Sequence, residues 1–90
     1  MNGKEMDEVA EDAATIEKVK EAFISALGVP AETDFGQLTY GGIEAWDSVA
    51  HMLLIAALES KFGIMIDTPD VIAMSSFAEA VRIVNENASR

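Results

Sequence analysis

Cysteine is absent from this chain of 90 residues. Its absence excludes a disulfide framework, a thiolate zinc site and a cysteine nucleophile, and it indicates a reducing compartment. Basic residues are few: six Lys and Arg stand against sixteen Asp and Glu, which leaves a formal net charge of −10. Because nucleic acids are densely negative, their phosphates would repel such a chain. We therefore expect no nucleic-acid partner.

Long apolar runs are also missing. The longest, residues 52 to 58, has only seven residues, whereas a helix that spans a membrane needs roughly 18 or more. The first residues turn acidic at once and show neither the basic start nor the apolar stretch of a signal peptide. We expect no membrane insertion and a cytoplasmic location.

Apolar residues make up half of the chain, which is enough to build one compact core. We expect residues 9 to 90 to form a single domain and the chain to be a monomer. Residues 1 to 8 are polar and are predicted to be a flexible lead-in.

Helical spacing of apolar residues is clearest in two segments. Residues 13 to 27 carry one apolar stripe, and Gly28 can end the helix there. Residues 49 to 62 are apolar on most faces and are followed by Gly63, which predicts a second helix. Asp47 and Ser48 are both suitable N-caps for it.

Two further helices are indicated by their start signals. Thr68 followed by Pro69 predicts a brief helix to about Met74. The capping box Ser76-Phe77-Ala78-Glu79 predicts a last helix to about Asn87.

Residues 28 to 47 show no sustained period and are interrupted by Pro30 and by Gly41-Gly42, so we expect a long loop. The whole pattern predicts an all-α protein. Its architecture is expected to be a small antiparallel four-helix bundle of three long helices and one short helix, with the long loop between the first two.

Ser48 is the candidate functional residue. At the start of a helix its hydroxyl would be exposed on a rigid element, beside backbone N–H groups and the positive end of the helix dipole, which favour an attached phosphate. An ordinary N-cap is the alternative explanation, and by position alone it is the more common one.

The surrounding sequence, Glu44-Ala45-Trp46-Asp47-Ser48-Val49-Ala50-His51-Met52, resembles the modification site of acyl carrier proteins, whose signature is Asp-Ser followed by an aliphatic residue. The likeness extends from the first helix to about Asn87. The run Leu58-Glu59-Ser60-Lys61-Phe62-Gly63-Ile64 is similar to that family's ending of the second helix. The short helix and the last helix fall where the family has its third and fourth.

The resemblance implies that Ser48 receives 4'-phosphopantetheine from coenzyme A through a phosphopantetheinyl transferase. The thiol of that arm carries acyl groups as thioesters, and the protein supplies attachment and recognition. The chain would then be a carrier with no catalytic residue and no metal site. Its partners would be acyl-activating and acyl-transferring or condensing enzymes of fatty-acid, polyketide or related specialised biosynthesis.

The resemblance also implies roles for the residues near Ser48. Partner enzymes would recognise Trp46, Asp47, Val49, Ala50, Met52 and Leu53. The space between the helices that shelters the carried acyl chain would be lined by Met52, Ile55, Ala56 and Leu58. For Trp46, a partly buried core position is an equally good interpretation.

The second helix departs from that of fatty-acid carriers, which have several acids there. Residues 49 to 62 contain only two charged residues, Glu59 and Lys61, so we expect apolar contacts to matter more than charge in partner binding. Trp46 replaces a small residue of those carriers, as in specialised free-standing carriers.

Three other functions would use the same residues. An aminoacyl or D-alanyl carrier shares the bundle and the arm. An unmodified adaptor would dock partners through the apolar second helix. A hydrolase using Ser48 and His51 lacks an acid to orient the histidine, and we expect His51 at the solvent edge of the helix instead.

Overall fold

The computed structural model describes residues 3 to 88, and side chains from residue 13 onward. This part of the chain is helical and contains no strand. The α-helices in chain order are α1 (Gly3–Leu27), α2 (Ser48–Phe62), α3 (Thr68–Ala73) and α4 (Phe77–Ala88). Together they form a small helical bundle in which α1 packs on α2 and α4, and α2 packs on α4.

Helix α1 begins at Gly3, well before residue 13, where the apolar stripe predicted its start. The stripe marks the turns that are buried, whereas a helix can continue beyond them. Six of residues 4 to 12 are Glu, Lys, Met or Ala, which favour helix, and acidic residues near a helix N-terminus are stabilising. Residues 1 and 2 lie outside the described residues, and the flexible lead-in of residues 1 to 8 stays a prediction.

The core lies between α1, α2 and α4. Phe23 of α1 is fully buried at its centre, with its ring centroid 5.1 Å from that of Trp46 and 5.2 Å from that of Phe77. Each large apolar side chain that is buried in this way contributes roughly 1.5–3 kcal/mol. The other fully buried residues of the three helices include Val19, Leu54, Leu58, Ala80, Ile83 and Val84.

The connection between α1 and α2 is tied to the core by its own side chains. It contains one 3₁₀ turn, Phe35–Gln37, and both Phe35 and Leu38 are buried. The Tyr40 backbone N–H donates to the Ser75 carbonyl at 2.9 Å, next to an isolated bridge between Thr39 and Ser76. The long connection is therefore fastened to the turn that precedes α4.

The predicted capping box at the start of α4 is half formed. The Glu79 backbone N–H donates to the Ser76 hydroxyl at 3.2 Å, as a capping box requires. The Glu79 carboxylate instead accepts from Arg82, and Arg82 also pairs with Glu86. Hydrogen bonds to Glu79 and then to Glu86 raise the pKa of Arg82. The charged guanidinium of Arg82 is a stronger hydrogen-bond partner for the Glu79 carboxylate than the neutral backbone N–H of its own cap.

Among the helices that are described, none combines the length and the apolar character needed to cross a membrane.

A substitution of Gly63, the residue that follows α2, tests how this helix ends. Its φ of 64° lies in the left-handed region, and a Cβ added there would meet no other atom within 4 Å. Any cost of Gly63→Ala is therefore a backbone cost, which we expect to lower the free energy of unfolding by about 1 kcal/mol. Denaturant titration followed by Trp46 fluorescence measures it.

Gly36→Ala is the matched control, because Gly36 has no positive φ and a Cβ there would meet only the Asp34 carboxylate at an ordinary 3.6 Å. We expect no loss of stability for this variant. Equal effects of the two substitutions would contradict the assignment of Gly63 as a left-handed cap.

Candidate functional site

Asp47 caps the N-terminus of α2. Its backbone is extended, and its Oδ1 accepts a hydrogen bond from the Ala50 backbone N–H at 2.9 Å. This satisfies one of the donors that a helix start leaves unpaired. Ser48 is the first residue of the helix, so the N-cap explanation for this serine does not hold.

The Ser48 side chain is exposed. Among the described residues its hydroxyl forms no hydrogen bond. The oxygen is therefore open to an incoming group, while the backbone that carries it is held by the helix. The exposed Asp47 carboxylate is its nearest charged neighbour along the chain.

Trp46 is a core residue, with no exposed surface. Its ring meets Phe23 and Tyr40 edge to face, at centroid distances of 5.1 Å and 6.2 Å. Its carbonyl accepts from the Gly41 backbone N–H at 3.0 Å. Of the two interpretations of this residue, the structure favours the buried one, because a fully buried side chain offers no surface to a partner.

His51 is buried, with 8% of its surface exposed, and does not lie at the solvent edge as expected. Its Nδ1 accepts from the Trp46 indole N–H at 2.9 Å, and its Nε2 lies 2.8 Å from the Val71 carbonyl oxygen. An indole N–H can only donate and a carbonyl can only accept. The ring is therefore neutral with its proton on Nε2.

This arrangement leaves His51 no free nitrogen with which to take a proton from Ser48. The two side chains lie three residues apart on α2, yet one is buried and the other exposed. The nucleophile and base that a hydrolase needs are not brought together here.

Apolar side chains form an exposed stripe that starts directly after Ser48. Val49 is 69% exposed, Met52 58% and Leu53 56%. With the exposed Ala56 they follow the spacing of one helix face. Of the expected recognition residues, Asp47, Val49, Met52 and Leu53 are thus accessible. Ala50, like Trp46, is buried.

A cavity of about 270 Å³ lies between the long connection, α2 and α3. It is lined by Tyr40, His51, Val71, Ile72 and Met74.

None of the residues expected to line the acyl chain borders this cavity. Met52 and Ala56 point to solvent, and Ile55 and Leu58 are buried in the core. The expectation came from the resemblance and named residues of α2 alone, whereas the cavity is built from three segments that meet only in the fold. The sequence contained one indication that His51 faces inward: Ile55 and Leu58 follow it by four and seven residues, which places all three on the buried face of α2.

The part of the chain that the structure describes holds no group of three or more His, Asp or Glu side chains placed to bind a metal ion. The site thus offers two candidate features, which are the exposed Ser48 hydroxyl and the apolar cavity that His51 borders.

In comparisons with known proteins, no family model matches the chain and no curated protein is similar to it.

The Asp47 cap can be tested by itself. Asp47→Ala removes the acceptor for the Ala50 N–H, and we expect it to lower the free energy of unfolding by about 1 kcal/mol. Asp47→Asn keeps a side-chain acceptor and is expected to cost only a few tenths of that amount. Denaturant titration checks both, and an equal loss for the two variants would show that charge, not capping, is what Asp47 contributes.

Proposed function

We propose that this protein is an acyl carrier whose Ser48 hydroxyl is the attachment point for 4'-phosphopantetheine. The observation that carries the proposal is the division of roles at the start of α2: Asp47 caps the helix, and Ser48 stands exposed with its hydroxyl unused. Attachment would join the Ser48 oxygen to the phosphorus of coenzyme A that bears pantetheine. The nucleotide half would leave, and the serine proton would pass to a base of the transferase.

The site fits that group in two respects. The hydroxyl stands on the first helical residue, where the dipole of α2 favours a phosphodiester. The cap also orients Asp47, since its Oδ1 is held by the Ala50 N–H. A transferase can therefore recognise a carboxylate at a defined place next to the reacting oxygen. The attached thiol supplies the thioester chemistry that the cysteine-free chain lacks.

The exposed stripe of α2 supports recognition by partner enzymes through apolar contact. The two charged residues of the helix are both engaged within the protein. Lys61 Nζ lies 3.2 Å from the Glu21 carboxylate, and Glu59 accepts from the Ile66 backbone N–H at 3.0 Å. Val49, Met52 and Leu53 are left as the accessible surface beside Ser48, where acyl-activating and acyl-transferring or condensing enzymes would bind.

The cavity favours an acyl cargo over an aminoacyl or D-alanyl one. No carboxylate lines it, and both nitrogens of His51 are already hydrogen-bonded. An ammonium group would enter without a partner for its charge, which is costly, whereas an apolar group would only exchange water for apolar contacts. The cavity is open to solvent at Tyr40 and Ile72, and its volume of about 270 Å³ is enough for a short acyl chain.

An adaptor that is never modified is the second candidate, and the exposure of Val49, Met52 and Leu53 is what favours it. It shares the docking surface with the carrier but needs no chemistry at Ser48. Modification of the serine therefore separates the two.

Incubation with coenzyme A and a broad-specificity phosphopantetheinyl transferase is expected to add one phosphopantetheine to the intact protein. Ser48→Ala should abolish the addition, because it removes the attacking oxygen. Ser60→Ala is the matched control, since Ser60 is another exposed serine of α2 and should leave the addition unchanged. Intact-mass spectrometry measures all three.

The carrier proposal fails if the folded protein gains no mass while the same transferase modifies a known carrier. Addition that persists in Ser48→Ala would place the attachment elsewhere. Either result would favour the adaptor.

The stripe is tested by Leu53→Gln. Because Leu53 is 56% exposed, the substitution should change stability by less than about 0.5 kcal/mol. It should lower kcat/KM for modification by about five- to tenfold, since a central apolar contact is worth about 1 kcal/mol or more at an interface. Transferase kinetics at varied carrier concentration provide the measurement.

Met65→Gln is the control for that experiment, because Met65 is even more exposed, at 78%, but lies outside α2. We expect it to leave kcat/KM unchanged. Equal losses in both variants would show that general surface hydrophobicity, and not the α2 stripe, governs recognition.

A further inference from the structure

Helix α3 is weakly anchored in its own right. It has six residues, none of them buried, and Ile72 is 77% exposed. A helix this short is not stable by itself in water. Its position must therefore come from Val71, which is half-buried against the core, from the residues that flank the helix and from the few bonds that reach it.

Besides the packing of Val71, three kinds of contact hold α3 in place. Ile66 and Met74, on either side of it, are buried. The Asn87 amide approaches the Asp70 carboxylate at a long 3.4 Å. The His51 Nε2–H donates to the Val71 carbonyl at 2.8 Å, which is the short bond that joins α3 to α2.

We infer that Trp46 and His51 act together as a latch that holds α3 in place as one wall of the cavity. The latch consists of the Trp46 indole N–H, the His51 ring and the Val71 carbonyl. It joins the residue two positions before Ser48 to the helix whose Val71 and Ile72 form a wall of the cavity. The inference deepens the proposed function, on which it rests in one respect: the cavity would widen for a carried acyl group when the latch opens.

Trp46 does more in this latch than fill space. A free neutral imidazole exchanges its proton between Nδ1 and Nε2. The indole N–H can only donate, so it requires a bare Nδ1 and places the proton on Nε2. That proton is the one that Val71 accepts. The Val71 carbonyl can only accept and selects the same tautomer, so Trp46 is a positioning residue that holds the Nδ1 side of the ring while Val71 binds the Nε2 side.

Hydrogen exchange on the full, unmodified chain tests the latch. Trp46→Phe keeps an aromatic ring in the core but removes the indole donor. We expect the amides of α3 to exchange roughly three- to tenfold faster relative to those of α1 and α4, the factor that corresponds to about one net hydrogen bond. The ¹⁵N shift of His51 Nδ1 should change at the same time, because that nitrogen loses its hydrogen-bond donor.

Substitutions of His51 separate the hydrogen bonds from packing. His51→Leu retains an apolar side chain of similar size and should speed exchange in α3 at least as much as Trp46→Phe. His51→Gln provides both an acceptor and a donor in one side chain and should restore much of the protection. Val84→Ala is the control for general destabilisation, because Val84 is fully buried in α4 and takes no part in the latch.

Selective loss of protection in α3 for Trp46→Phe and His51→Leu, with recovery in His51→Gln, supports the latch. If all helices of these variants lose protection by one common factor, as expected for Val84→Ala, or if α3 does not change, the latch is overturned. An unchanged ¹⁵N shift of His51 Nδ1 in Trp46→Phe also overturns the role given to Trp46. None of these readouts requires modification of Ser48, so failure of the carrier proposal remains distinguishable.

Discussion

The buried hydrogen bond between Trp46 and His51 is the constraint from which the rest of the site follows. Trp46 has no exposed surface, and its indole N–H would be costly to bury without an acceptor. His51 Nδ1 supplies that acceptor at 2.9 Å, which requires the histidine to face inward. The bond therefore sets the rotation of α2 about its own axis.

That rotation decides which residues of α2 are buried and which are accessible. With His51 inside, Leu54, Ile55 and Leu58 also face the core. The opposite side, with Val49, Met52 and Leu53, is left exposed although it is equally apolar. A helix that is hydrophobic on almost every face has no rotation of its own to prefer. A polar partner buried at one point is enough to select one.

The start of α2 shows how two adjacent polar residues take different roles. Asp47 and Ser48 are both good capping residues, but a helix start has one N-cap, and Asp47 occupies it. The hydroxyl of Ser48 is then free for chemistry while its backbone stays fixed. The proposed attachment relies on this combination of a free side chain on an ordered turn.

The amino-acid sequence by itself determined that this protein is helical. Apolar spacing near 3.6 residues, Pro69 at a helix start and glycine after residue 62 act over three or four residues, so they are readable without the fold. The exposed Ser48 at the head of α2 was predicted on the same local grounds. The start of α1 was misplaced, because apolar spacing reports burial and not the full length of a helix.

Only the tertiary structure decided the burial of Trp46, the inward position of His51 and the composition of the cavity. Each depends on atoms far apart in the sequence: Phe23 packs on Trp46, and Val71 accepts from His51. The cavity likewise joins Tyr40 of the long connection to Met74 beyond α3. Whether a polar group is buried depends on whether a distant partner comes within about 3 Å of it, and local spacing carries no information about that distance.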